Sequence, residues 1–286
     1  MNKEYIVFTD ESYLNGTQFQ GLTAFSFPKK HISDIQNEIK NILVSSEVSE
    51  EFKWKYLGGA KYYFCAEKFI DFIINNINSF SLRIDSLVWD KNDNRHLIQN
   101  RDDKANFERM FFHLVKFVLL KREKDSRWEI RPDSRSGIDW ETIRNCLKSI
   151  GLHREFENSI FGDFFTNPNY HISSFTETCS KQEASIQICD LLSGLSVFSR
   201  ELYRQYSEWK AAKEPSLFDN PDTKLSNSEK YRFELLLKFN AKCKKNKLGV
   251  SLDNNPYKGL YTYDHKNPIN FWPYAPQGTY DKAPTK

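Results

Sequence analysis

The sequence predicts an α/β protein, and three observations predict it. Short β-branched and aromatic runs alternate with longer stretches of helical periodicity between residues 81 and 203. The chain opens on two strand-like runs that a tight turn can join as a hairpin. Its 286 residues are 39% hydrophobic and 28% charged, a globular composition long enough to bury a sizeable core.

Each element has a local justification. Residues 4–10 read as a first strand, and residues 20–27 as a second that Pro28 ends; Asn15-Gly16 between them suits the hairpin turn. Residues 33–46 read as a helix, with Ser33 and Gln36 as a capping box and Ile32, Ile35, Ile39, Ile42 and Leu43 as its apolar stripe. The stretch "EEFKWKYLGG", residues 50–59, is short and stops on two glycines. A helix over 61–78 follows, with Phe69, Ile70, Ile73, Ile74 and Ile77 as its core face.

Residues 81–90 form a third strand, and Phe107, Met110, Phe111, Leu114, Phe117 and Val118 repeat at helical spacing. Residues 127–133 read as a strand that Pro132 helps to end. Asp139 caps a helix carrying Trp140, Ile143, Leu147 and Ile150, with Gly151 as its stop. Residues 170–178 form another strand, and a long helix starts at a second capping box, Ser180 with Glu183. Residues 208–226 read as a polar linker, 227–247 as a last helix stopping at Gly249, and the tail after 250 shows no regular pattern. The order predicts one mixed sheet flanked by helices in a domain over 1–207. Residues 208–286 then form an extension of linker, basic helix and Pro/aromatic tail.

The bulk numbers narrow the function. The 41 basic and 38 acidic side chains leave a net charge of only +3, which argues neither for nor against nucleic acid. Five cysteines include no CxxC pair, against disulfides and thiolate zinc; Cys146, Cys189 and Cys243 fall in helical patterns, where buried thiols are usual. No signal region precedes Tyr5 and no apolar run approaches the roughly 18 residues that span a bilayer, so a cytoplasmic protein without a membrane partner is expected. Walker, Rossmann, GxSxG and HExxH motifs are absent, and the six histidines are scattered.

The acids carry the chemistry. Ligands gather at the carboxyl ends of strands in an α/β sheet, and Asp10, Asp90 and Asp133 each end a strand. Asp190 interrupts an apolar helix, between Ile188 and Leu191, on a face shared with Glu183, Gln187 and Gly194. Gly194 would let another group approach that helix closely. In "EFKW" an extended chain turns Glu51 and Lys53 to one side and Phe52 and Trp54 to the other. Carboxylates from distant parts of a chain suit hard, oxygen-seeking ions such as Mg²⁺ or Mn²⁺. The adjacent acids Asp10 and Glu11 should face opposite sides of their strand, so Asp10 is the one turned to a metal.

In this order "FTDES", "EFKW", "LVWDK", "IRPDSR" and "SKQEASIQICDLLSG" resemble the domain of unknown function 3800 family over residues 4–205. The resemblance implies a ribonuclease H-like fold and divalent-metal nuclease chemistry with two ions. It implies Asp10, Glu51, Asp133 and Asp190 as metal ligands and Lys53 as the cation that offsets charge on the phosphate. Glu11, Lys181 and Gln187 match accompanying positions. Cys189 stands where the family has a small residue, and Asp90 competes with Asp133 for the third ligand position. The implied partners are a nucleic acid substrate, DNA or RNA, and proteins of a defence or mobile-element system.

Two other readings compete. A restriction-type nuclease would use Asp34 with Glu51 and Lys53, although Asp34 sits in the first turn of a helix, where acids are common. A catalytically silent nucleic-acid-binding or adaptor module would use the basic helix end of Lys242, Lys244, Lys245 and Lys247. Cations are favoured at a helix C-terminus in any case.

Overall fold

The computed structural model describes residues 3–13, 17–93, 102–123, 125–160, 170–213, 225–253 and 255–275. In chain order the elements are β1 (Glu4–Tyr13), β2 (Phe19–Pro28), α1 (Ile32–Ser45), α2 (Ala60–Asn76), β3 (Arg83–Asp90) and α3 (Asp103–Leu119). Then come β4 (Ser126–Pro132), α4 (Trp140–Ile160), β5 (Tyr170–Phe175), α5 (Ser185–Glu201), α6 (Tyr203–Lys213) and α7 (Asn227–Lys245). Three short strands close the chain: β6 (Val250–Ser251), β7 (Tyr261–Thr262) and β8 (Ile269–Pro273).

Six strands form one mixed sheet in the order β5-β4-β1-β2-β3-β8. Strand β2 pairs antiparallel with both β1 and β3, while β4 lies parallel to β1, β5 parallel to β4 and β8 parallel to β3. Side-chain alternation then fixes two faces. Ile6 and Phe8 of β1 join a core with α1, α2, α5 and α7, whereas Tyr5 and Val7 join a second core with α3 and α4. The molecule is therefore an α/β/α sandwich, as the sequence predicts.

Helix α5 lies closest to the sheet. A Cβ on Gly21 of β2 would come within 2.7 Å of Val197 Cγ2, so glycine there lets the helix settle on the strand. On the sheet's far side, Trp128 is fully buried and stacks on Tyr5 with ring centroids 5.1 Å apart.

Several local expectations change. The first strand runs to Tyr13, because pairing with β2 continues after β4 falls away at Pro132. The Asn15-Gly16 turn lies outside the described residues. Helix α1 starts at Ile32 without a side-chain cap, and Gln36 bonds Glu183 Oε2 (2.6 Å) instead. Asp139 does cap α4, accepting from the Thr142 N–H at 3.0 Å, but the helix runs past Gly151. Helix α5 starts at Ser185, after a turn over 179–184, rather than at a box on Ser180. Of the expected linker, residues up to Lys213 are helical and 214–224 lie outside the described residues.

The tail is more regular than its composition. Strand β8 adds an edge to the main sheet, held by a buried cluster. Arg83 donates to both carboxylate oxygens of Asp85 at 2.9 Å, Asn270 donates to Asp85 Oδ1 at 3.0 Å, and Arg83 also reaches the carbonyls of His265 and Asn267. Arg200 of α5 likewise holds the carbonyls of Tyr257 and Leu260, each at 3.0 Å. All five cysteines are free; Cys65, Cys189 and Cys243 are buried, but Cys146 only partly. Among the described residues no helix is long and apolar enough to cross a membrane.

Candidate metal centre

Asp10 sits where β1 loses its parallel neighbour. The pleat that sends Ile6 and Phe8 toward α5 sends Asp10 the same way. Asp10 is 6% exposed and accepts the N–H of Glu11 at 2.8 Å. Glu11 turns to the opposite face, as alternation requires. It meets Arg135 Nη1 at 2.7 Å, and that guanidinium lies 4.2 Å from the Phe107 ring centre of α3.

Asp133 follows β4, the strand beside β1. Its N–H donates to the Thr9 carbonyl at 2.9 Å, which places it next to Asp10, and its Oδ1 accepts the Ser180 N–H at 3.2 Å. Asp90 is elsewhere. Strand register puts Asp10 level with Thr23 and Thr23 level with Ser86, so Asp90 lies two strands away and four residues further along. At ~3.3 Å per residue that is roughly 13 Å along the strand alone. Gln18 and Asn92 satisfy it there.

The "EFKW" segment alternates as expected. Phe52 and Trp54 are buried, while Glu51 and Lys53 are partly exposed and 3.6 Å apart. The segment is tied to α5 through its backbone. Phe52 N–H donates to Gln187 Oε1 at 2.8 Å and Trp54 N–H to Asp190 Oδ2 at 2.5 Å. Gly194 admits the Trp54 ring, which occupies the space a Cβ would need. The close approach that glycine permits is thus by the protein's own tryptophan.

Ser180 links these parts, and sequence reasoning had assigned it only a helix cap. Its hydroxyl accepts from Lys53 Nζ at 3.0 Å and donates to Glu51 Oε2 at 2.7 Å, while its N–H bonds Asp133. Gln187 Nε2 holds the Ser180 carbonyl at 2.9 Å. The available signal was weak: a serine in the turn before a helix that carries an awkward aspartate.

Other predicted residues stand apart. Glu183 pairs with Arg131 and Gln36 rather than facing the cluster. Lys181 is exposed and pairs with Glu50. Asp34 is exposed in the first turn of α1 and joins none of the hydrogen bonds that link Glu51 and Lys53. On the basic helix, Lys242 pairs with Asp71 and Lys244 with Asp253.

The electrostatics set the cluster apart. Burial, then the charges of Asp190, Glu11 and Asp133, hold the Asp10 carboxyl well above the usual range, against the charge of Lys53. Burial pushes Asp190 up to about 6, against the Trp54 N–H and Lys53, and Asp133 and Glu51 add to it. Burial also raises Asp133. For Lys53, burial disfavours the charge, but Asp10, Asp190, Glu51 and Asp133 together raise its pKa.

Among the described residues no three His, Cys, Asp or Glu side chains are drawn close enough to enclose an ion. The acids feel one another electrostatically but each is held by its own donors. Their chemistry nevertheless fits a hard divalent cation: four carboxylates, all oxygen donors, face one ammonium.

Fold and site together define a class: an α/β/α protein with a half-buried carboxylate cluster between the central strands and α5. The chain belongs to the same family as two proteins of Methanothermobacter thermautotrophicus. It is 33% identical over 297 residues to "Uncharacterized protein ORF2'", covering 100% of this chain and 99% of that protein. It is 33% identical over 288 residues to "Uncharacterized protein ORF2", covering 97% of this chain and 96% of that protein. No family model matches the sequence.

Proposed function

We propose that the protein is a divalent-metal-dependent nuclease acting at the Asp10, Glu51, Asp133 and Asp190 cluster, inside the cell, on a ribonuclease H-like sheet. One observation carries this reading. Burial and mutual repulsion raise the pKa values of Asp10, Asp133 and Asp190, with Lys53 as the opposing cation. Such an arrangement costs stability unless a positive ion offsets it, and strongly perturbed acids gather at functional sites. The acid on the strand beside β1 is also what a ribonuclease H-like sheet would supply. The free cysteines agree with a reducing compartment.

The four carboxylates would hold Mg²⁺ or Mn²⁺. The chemistry such ions supply is activation of a water and neutralisation of the leaving oxygen in phosphodiester hydrolysis. The chain's own groups orient and balance charge. Lys53, positioned by Ser180, offers its ammonium to a non-bridging phosphate oxygen. Trp54 holds Asp190 through its backbone N–H, and Gln187 holds both the Phe52 N–H and the Ser180 carbonyl, so hydrogen bonds tie the two chain segments together.

The test is cleavage of single- and double-stranded DNA and RNA with Mg²⁺ or Mn²⁺, comparing wild type with Asp10→Asn and Asp190→Asn. Both variants should lose activity at least ~100-fold. Full activity in both variants removes the cluster from the chemistry. No cutting of any substrate with either metal leaves a binding module in place of a nuclease.

A further inference from the structure

Beside the carboxylate cluster the chain carries a small aromatic surface edged with lysines. Lys55 and Tyr56 follow Trp54 in a single helical turn, and Lys61 and Tyr62 lie in the first turn of α2. Tyr56 is 44% exposed, and its ring centroid lies 5.4 Å from that of Tyr62 with the planes 41° apart. Lys55 Nζ lies 5.0 Å from the Tyr56 ring centre and Lys61 Nζ 5.2 Å from that of Tyr62. The surface is joined to the site by one buried ring. Tyr62 backs onto Phe52, at 6.4 Å between centroids, and Phe52 stands between Glu51 and Lys53.

These lysines differ from three of those on the basic helix. In α7, Lys238, Lys242 and Lys244 all pair with acids: Glu67, Asp71 and Asp253. Among the described residues neither Lys55 nor Lys61 has an acidic partner; Lys61 only reaches the Glu47 carbonyl at 3.4 Å. Two ammoniums without acidic partners among the described residues therefore flank two tyrosine rings, next to a site that we read as hydrolysing phosphodiesters.

We propose that this surface binds single-stranded nucleic acid, with Tyr56 and Tyr62 stacking against unpaired bases and Lys55 and Lys61 contacting phosphates. The unpaired state follows from the chemistry. A ring needs an uncovered base face, which a duplex hides between neighbouring pairs, and stacking of this kind tolerates any base sequence. The inference deepens the nuclease reading and rests on it only for the fate of the bound strand.

The experiment is fluorescence anisotropy in EDTA, where nothing is cut. Its probes are labelled oligo(dT) and oligo(rU) of about 12 nucleotides, within the span of small single-strand sites, and a duplex of equal length. Wild type should bind both single strands tighter than the duplex. Tyr56→Ala should weaken single-strand binding roughly 5- to 100-fold, and Tyr56→Phe should keep it. The double variant Lys55→Ala/Lys61→Ala should flatten the slope of log K against log salt by about 1.4, or ~0.7 per lost phosphate contact. Tyr263→Ala, which removes a ring 59% exposed at the other end of the chain, should bind like wild type.

Binding of Tyr56→Ala within twofold of wild type overturns the proposal, as does a preference for duplex or no single-strand binding at low salt. Tyr56-dependent binding without metal-dependent cutting removes the nuclease reading and keeps this one. Metal-dependent cutting with unaltered Tyr56→Ala binding does the reverse.

Discussion

Gly194→Ala tests whether the site is braced as the geometry says. An added Cβ would lie 2.3 Å from Trp54 Cγ, 2.4 Å from Cδ2 and 2.7 Å from Cδ1. Carbon atoms settle at roughly 3.5–4 Å, so the indole would have to retreat by more than ~1 Å. It has little room. Trp54 is 2% exposed, Phe198 packs edge-on at 5.7 Å, and the Arg232 guanidinium sits 5.0 Å from its ring. Its backbone N–H is committed to Asp190 Oδ2 at 2.5 Å, which fixes the chain from which the ring projects. Overpacking a rigid ring this closely belongs at the upper end of the usual range, ~3 kcal/mol. Alanine's helix preference over glycine returns ~1 kcal/mol, leaving a net loss of about 2 kcal/mol.

Urea and thermal unfolding measure that loss. For a chain of this size about 2 kcal/mol corresponds to a Tm lower by roughly 3–4 °C. The decisive comparison repeats Gly194→Ala in a Trp54→Ala background. There the clash is gone, so the substitution should become neutral or slightly stabilising, giving a coupling of about 2 kcal/mol or more. Equal losses in both backgrounds, or a Gly194→Ala variant as stable as wild type, would refute the brace.

Two further outcomes follow from buried charge. Asp190 is raised to about 6 in the folded protein, so the native state holds a proton that the unfolded chain releases near its ordinary value of 3.8. Its stabilising contribution is complete below about 4 and is lost as pH rises through about 6. Asp190→Asn should therefore be more stable than wild type at pH 7 in EDTA, by at most ~3 kcal/mol, and the gain should shrink toward pH 4 in urea titrations. An equal effect at both pH values would count against it. Asp85→Ala strands the Arg83 guanidinium at the β3–β8 edge, which should cost about 3–5 kcal/mol and expose the C-terminal segment to limited proteolysis. The paired replacement Arg83→Met/Asp85→Leu should cost far less, since it removes both buried charges together.

The parts of the site that local period controls were legible. Alternation separated Asp10 from Glu11 and Glu51 and Lys53 from Phe52 and Trp54, because a pleated chain has only two sides. The awkwardness of Asp190 was also legible, since an acid between Ile188 and Leu191 needs a partner. What was not legible depends on contacts across the chain. Ser180 has the sequence context of a helix cap, and only the fold brings Glu51, Lys53 and Asp133 to its hydroxyl and N–H. Asp90 and Asp133 both end strands; strand order, which puts β4 and not β3 beside β1, separates them. Strand β8 is five residues ending in proline, and its pairing with β3 spans more than half the chain, so no local pattern marks it.

The same contacts explain how the fold tolerates its acids. Drawing Asp10, Asp133 and Asp190 together works against stability, since each raises the energy of its ionised neighbours. A flexible chain would relieve that repulsion by letting the segments drift apart. Here drift is blocked on several sides. Asp133 is fixed to Thr9 by the backbone, Asp190 to Trp54 by a hydrogen bond, and Trp54 to α7 by Arg232, which also donates to its carbonyl at 3.3 Å. The last of these anchors lies 178 residues beyond Trp54, in the C-terminal third of the chain. That third therefore helps to hold the catalytic geometry we propose, through aromatic and cation–π packing around Trp54. A positive charge arriving at this cluster would offset the mutual repulsion of its acids. Divalent metal should accordingly raise the thermal stability of wild type more than that of Asp190→Asn.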